Sequence, residues 1–398
     1  MKLLALYFFA LPFTSAFNIS SVITIPVLSL ILFSSYHFAK PFVTSNYLFK
    51  VEPYTLLILG SLFCGVISLY YSVFVKYSFV YAHAISLLFV FFAFVLIPAR
   101  GLAGKSINVL FKPLLYSFIF VCCFCIFEFL TLNFSSVTIV NKIPRPDVTD
   151  YSPLFFQILY RARSTFEESG HFASYLTVVF PFLYSYCNPK NKKIITGLFF
   201  ISLGMSASVG GVIVLMLLIF PFLLFQLERK FKVPLLIVIS LAVLIASPII
   251  IEKLMDIYKF KVASGSLTGR FDSYLDSINL FLDGSILNIL FGYGPGSYQY
   301  MYVEPAINAY LNLLRDVGLL GLLCFFLFIN YPIISILMRL SIPNTKYLLS
   351  SYGWAVIVTT LAVNFWLLSI PNYFYPHFYL PLIFFIGLKR YVFTEKLE

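Results

Sequence analysis

Charge is what this sequence has least of. Only 11% of its 398 residues are Asp, Glu, Lys or Arg, against about 25% in an ordinary soluble domain. A surface this poor in charge is not solvated by water, which excludes a soluble enzyme and a nucleic-acid reader. Alternating apolar and polar segments of about ten residues are also missing, so a porin-type barrel is excluded. There is no repeat of fixed period and no low-complexity tract. The six cysteines (Cys64, Cys122, Cys123, Cys125, Cys187, Cys324) all lie in apolar runs. Cys122 and Cys125 form a C-x-x-C with no second pair and no companion histidine, so all six read as small packing residues rather than a disulfide or metal framework.

What fills the chain is hydrocarbon: 61% of residues are hydrophobic and 19% aromatic. Apolar runs fall at 3–17, 21–38, 54–74, 78–98, 113–132, 171–187, 194–208, 210–227, 233–251, 317–338, 351–370 and 376–390. A spanning helix takes roughly 20 apolar residues, so the expected fold is an all-α polytopic membrane protein of about twelve transmembrane helices, a single integral membrane domain over residues 1–398. The first run has the look of a signal peptide but is expected to be retained as a helix, because a second run follows at once.

The net charge of +11 is topological in origin. With the N-terminus in the cytoplasm, most of the basic residues collect in the short inside loops, as at Lys190, Lys192, Lys193 and Arg229, Lys230, Lys232, and both termini are then cytoplasmic. The partner implied is the lipid bilayer, not nucleic acid. Two long segments, 133–170 and 252–316, face the opposite side, and long loops gathered on one face are where function is expected.

The acids are also concentrated in those loops, Asp147, Asp150, Glu167 and Glu168 in the first and Glu252, Asp256, Asp272, Asp276, Asp283 and Glu304 in the second, with Asp316 at its end. Glu128 alone lies well within a spanning run, too little for a proton relay. In the first loop, Arg161, Arg163, Glu167, Glu168 and His171 crowd the membrane surface. The structural reading of this stretch is a capping box of Ser164 with Glu167 and an interfacial His171. The functional reading is a grip on phosphate oxygens by guanidinium groups.

In the second loop, Phe271, Tyr274, Leu275 and Ile278 recur at helical spacing and predict an interfacial amphipathic helix over 269–282, with Arg270 near its start. Gly292 to Tyr298 is not regular helix. Its glycines permit close backbone approach, to a ligand at Tyr293 and Gly294 or in an ordinary tight turn. Tyr293, Tyr298, Tyr300 and Tyr302 suit sugar stacking or an aromatic belt equally. Glu304, Asn308, Asn312 and Arg315 fall on one helical stripe leading into the next spanning run, facing either a polar cavity or the membrane edge.

Taken in order, Arg163-x-x-Phe166-Glu167-Glu168, then Arg270 ahead of Phe291-Gly292-Tyr293-Gly294-Pro295-Gly296, then Asn308-Ala309-Tyr310-Leu311-x-x-Leu314-x-x-x-Gly318-Leu319-x-Gly321 resembles the O-antigen polymerase and O-antigen ligase superfamily. The resemblance covers roughly residues 150–340. It implies a GT-C-like membrane glycosyltransferase of the bacterial inner membrane, active at the periplasmic face on glycans carried by undecaprenyl pyrophosphate. It also implies inversion at the anomeric carbon without a metal or other cofactor. Arg163 and Arg270 match the family arginines assigned to the pyrophosphate. Ligases of the superfamily carry His immediately before the position matching Asn308, and Ile307 stands here, which favours a polymerase and leaves the base open among Glu167, Glu168 and Glu304.

The loops hold no dense Asp pair of the kind that binds a magnesium diphosphate, in keeping with that expectation. Arg161, His171, Tyr293, Gly294, Asn308, Asn312 and Arg315 are expected to line the substrate. The alternatives are an O-antigen ligase with another base, a flippase of lipid-linked oligosaccharide without bond chemistry, and an assembly subunit. A flippase and a chain-length regulator are partners implied by the family alone.

Overall fold

The computed structural model describes residues 2–14, 24–39, 94–95, 97–102, 104–135, 153–154, 159–226, 266–294, 297, 306–341, 347–371 and 373–395. The expected runs 54–74 and 233–251, and most of 78–98, lie outside the described residues. The helices are α1 (Lys2–Ala10), α2 (Ile25–Ala39), α3 (Ile97–Leu102), α4 (Asn108–Phe134), α5 (Ser169–Tyr186), α6 (Pro189–Ser206), α7 (Val209–Gln226), α8 (Ser266–Leu282), α9 (Ile286–Phe291), α10 (Ala309–Leu340), α11 (Ser351–Ser369) and α12 (Leu380–Gly387). Two short antiparallel pairs complete the described structure, β1 (Pro153–Leu154) with β2 (Leu159–Tyr160) and β3 (Tyr347–Leu349) with β4 (Phe393–Glu395).

Four of these helices, α4, α7, α10 and α11, are long and apolar enough to cross a membrane. Their outer faces carry large exposed apolar side chains, among them Tyr116, Phe127, Leu217, Leu323 and Phe326. In water such a surface would aggregate; against lipid tails it is solvated.

The centre of the bundle is α5, with 14 of its 18 residues buried. It packs against α4, α6, α7 and α11, so its sequence shows apolar residues all round rather than one stripe. Its hydroxyls are satisfied inside: Thr177 Oγ1 donates to the Ala173 carbonyl (2.9 Å) and accepts from Trp366 Nε1 of α11 (2.9 Å). Small residues bring the helices close. A Cβ on Gly210 would lie 2.9 Å from the Trp366 ring, and one on Gly211 would lie 2.7 Å from Leu203.

Two expected spans differ in form. The run at 317–338 belongs to a longer helix, α10, which begins at Ala309 and is broken at Gly318 (φ 69°, ψ −173°). The run at 376–390 starts with a 3-10 turn at Pro376–Tyr379 and continues only as the eight-residue α12. Pro376 and Pro381 each stand near a helix start, where a missing N–H is tolerated.

The ends of the bundle differ. Tyr186, Asn108, Ser185, Ser351 and Gln226 join one end through hydrogen bonds between helix termini. Here Arg339 lies over Phe393, Lys192 over Tyr184 and Arg390 over Tyr391. The other end is made by the C-terminus of α4 and the N-termini of α5 and α10, tied together by the chain from 370 to 377.

Candidate active site

At this second end the segment from Arg161 to Glu168 crosses from β2 into α5, and it is pinned on three sides. The Ala162 N–H donates to the Met205 carbonyl at the end of α6 (3.1 Å). Thr165 Oγ1 donates to the Pro12 carbonyl (2.8 Å) and Ser164 Oγ to the Val121 carbonyl (2.8 Å). Glu128, fully buried on α4, accepts the backbone N–H of Arg163 (2.8 Å) and of Ser164 (2.6 Å) through one oxygen. Ser164 stands in the left-handed region at φ 52°, a conformation that costs a non-glycine residue about 1 kcal/mol and that these bonds offset.

The capping box is therefore corrected. Helix α5 starts at Ser169 with Glu168 as its extended N-cap residue, without a side-chain cap. Ser164 instead serves the turn before it, because a buried carboxylate is a stronger acceptor for these N–H groups than a local contact.

The turn sets Arg163 beside the acids, where its Nη1 donates to the Glu167 carbonyl (3.2 Å). The Glu167 side chain is part-exposed, and its Oε2 lies 3.7 Å from His171 Nδ1 and 3.4 Å from the Tyr375 hydroxyl. That hydroxyl is 2.8 Å from His171 Nδ1. Burial, and next the carboxylates of Glu167 and Glu168, hold the Tyr375 hydroxyl well above its ordinary range. It therefore stays protonated and able to donate. Glu168 is exposed. Arg161 is pulled below its ordinary value by burial, and the Glu168 carboxylate raises it in part.

On the other side of the 370–377 chain lies the start of α10. Asn308 caps it, its Oδ1 accepting from the N–H groups of Tyr310 (2.9 Å) and Leu311 (3.2 Å). Asn312 donates to the carbonyls of Ala306 (2.8 Å) and Pro371 (3.1 Å). Arg315 is buried and paired with Asp316 (3.1 Å), which also accepts from Ser297 Oγ (3.2 Å).

The break at Gly318 is met by the glycine turn. The N–H of Tyr293 donates to the Arg315 carbonyl (2.8 Å) and that of Gly294 to the Asp316 carbonyl (3.0 Å). Both are carbonyls that an unbroken helix would have used itself. Gly292 (φ 80°) and Gly318 approach so closely that a Cβ on either would meet backbone atoms at 2.5–2.6 Å. The close approach permitted by these glycines is thus made to α10. The Tyr293 hydroxyl donates to the Leu280 carbonyl (3.0 Å) and secures α8 to the same turn.

Helix α8 begins at Ser266 and bears Arg270 near its start; the Arg270 side chain lies outside the described residues, as does Glu304. Its buried side is Ser273 and Ser277, while Phe271, Leu275, Ile278 and Leu282 are exposed as an outward apolar stripe. The Tyr274 hydroxyl anchors the helix to the Ile307 carbonyl (2.8 Å).

Two site residues escaped the reading of the sequence, Tyr375 and His377. His377 is fully buried, with Nε2 3.0 Å from Ser174 Oγ and its ring edge-on to Phe166. The signal that could have found them is the pair of polar rings in a short apolar connection that sequence topology places on the same side as the two long loops.

Fold and site together define an all-α membrane protein with a buried, arginine-bearing polar cluster at one end. Residues 194–326, from α6 into α10, match the family model described as O-Antigen ligase. This match, over about a third of the chain, supports the O-antigen ligase and polymerase superfamily, whose members are glycosyltransferase-like enzymes. It takes in Arg270, Tyr293, Gly294, Glu304, Asn308, Asn312 and Arg315, and stops short of the Arg161–His171 segment. A search of the curated proteins found no match.

Proposed function

We propose that the protein is a surface-polysaccharide polymerase that joins repeat units carried on undecaprenyl pyrophosphate at the periplasmic face of the bacterial inner membrane. The hydroxyl at the non-reducing end of one unit attacks C1 of the reducing-end sugar of a growing chain. A C1–O bond forms on the opposite face from the breaking bond to the pyrophosphate, and the carrier departs with the bonding electrons. Negative charge grows on that leaving group, and preorganised cations in a poorly hydrated site stabilise it by several kcal/mol. Arg163 and Arg270 take this role, with Arg161 and Arg315 flanking.

The proton of the attacking hydroxyl passes to a carboxylate late in the step. Glu167 is the choice over Glu168, since it sits against His171 and Tyr375, which hold its carboxylate oriented while leaving part of it open. The observation that carries the reading is the turn at Arg163, pinned by two helices and by the Pro12 turn that follows α1 so that guanidinium, carboxylate, imidazole and phenol converge at one end of the bundle. Ile307, where ligases carry a histidine, supports polymerase over ligase.

The test is deletion of the gene and the gel profile of envelope polysaccharide. A polymerase leaves one repeat attached to its acceptor. Loss of every repeat means a ligase or a flippase and overturns the proposal.

A further inference from the structure

Glu128 is the one buried carboxylate of α4, and the reaction just described gives it no part. Its surroundings are unlike those of a lipid-facing or solvated acid. It is 0% exposed, and one oxygen receives two successive backbone N–H groups, from Arg163 at 2.8 Å and Ser164 at 2.6 Å. Charge-assisted bonds of this length are the strong ones. They fall on the residue that carries the guanidinium and on its left-handed neighbour, the least favourable backbone position of the turn. Two turns earlier on the same face of α4, the Val121 carbonyl takes the Ser164 hydroxyl. The helix thus grips the turn at an acceptor on each side of Ser164.

We infer that Glu128 is the positioning residue of Arg163. Its carboxylate fixes the 163–164 peptide so that the guanidinium is held where the leaving group develops charge, without itself touching substrate. The inference rests on the reading of Arg163 given above. A spanning helix that carries a single acid then has a reason to keep it: an apolar residue would leave the N–H groups of Arg163 and Ser164 unmet, the second of them buried away from water.

The experiment uses the full-length protein purified in lipid nanodiscs, with lipid-linked repeat units as substrate. Glu128→Gln keeps size and an acceptor oxygen but loses the charge; Glu128→Leu loses both. Polymerisation falls about tenfold or more in Glu128→Leu and by less in Glu128→Gln, while amide hydrogen exchange speeds up in the 162–165 segment and not in α5 or α11. Combined with Arg163→Lys, which keeps a cation without the planar fork, Glu128→Gln lowers the rate by a smaller factor than it does alone, because the two act through one group.

Equal factors in both backgrounds would overturn the inference, as would unchanged exchange at 162–165. If Glu128→Leu does not accumulate, Glu128→Gln alone carries the cycle. The functional reading fails separately: Arg163→Lys would then leave the rate untouched, while the exchange measurement would still decide whether Glu128 holds the turn.

Discussion

At one end of the bundle Glu128, His171, Arg315 and Asp316 are buried and bonded to backbone N–H groups or to neighbouring side chains; at the other, Lys105, Lys190, Lys389 and Arg390 are exposed, and Arg339 and Lys389 lie over rings. The residue types overlap and the settings do not. A cation over an aromatic ring at a membrane edge keeps its water and costs little. A carboxylate or guanidinium inside the bundle is retained only when the surrounding backbone is arranged to receive it. The first end therefore stores the effort of construction, in a left-handed serine, a broken helix and two glycines in backbone contact, while the second end keeps its charges at the surface.

The largest expected effect that would break this contrast is at the helix break. Gly318→Ala places a methyl group 2.5 Å from the Leu290 and Gly292 backbone at a positive φ, and should cost about 3 kcal/mol or more, read as lost membrane abundance and a lowered thermal midpoint in detergent. A normal midpoint would mean that the α9–α10 junction is not as built.

Tyr375→Phe should leave the midpoint within a few degrees yet slow polymerisation about tenfold, since a neutral hydrogen bond to a charged group contributes roughly 1.5 kcal/mol. An unchanged rate would remove Tyr375 from the site. Trp366→Phe, in the middle of the bundle, loses the bond to Thr177 and should lower stability by about 1 kcal/mol without altering chain length. Smallest of all, Lys389→Ala at the exposed end should shift stability by no more than about 0.5 kcal/mol and leave the polysaccharide ladder as it was. A collapsed ladder there would show that the two ends are not functionally distinct.

Reading the sequence located α4, α6, α7 and α11 because a helix against lipid has to be apolar along its length, and apolar runs are visible without knowing any partner. It also picked out charged residues that lie at the first end, such as Arg163, Glu167 and Arg315, since charge is rare enough in this chain to stand out. It missed what depends on distant partners. Ser164 and Glu167 have the spacing of a capping box, but the acceptor that takes the Ser164 N–H is Glu128, 36 residues earlier. The break in α10 is legible only once the glycine turn is seen to supply N–H groups to Arg315 and Asp316. Tyr375 lies 204 residues from His171 and looked like one more aromatic in a chain with 28 tyrosines.

The central claim is that fixed guanidinium groups take up the charge shed as the lipid carrier leaves. It is tested most directly by replacing Arg163, and separately Arg270, with Lys in cells lacking the native gene, and resolving the envelope polysaccharide by gel with protein levels matched. The account predicts that long chains collapse to single repeats in both variants. Full-length chains at normal abundance would contradict it.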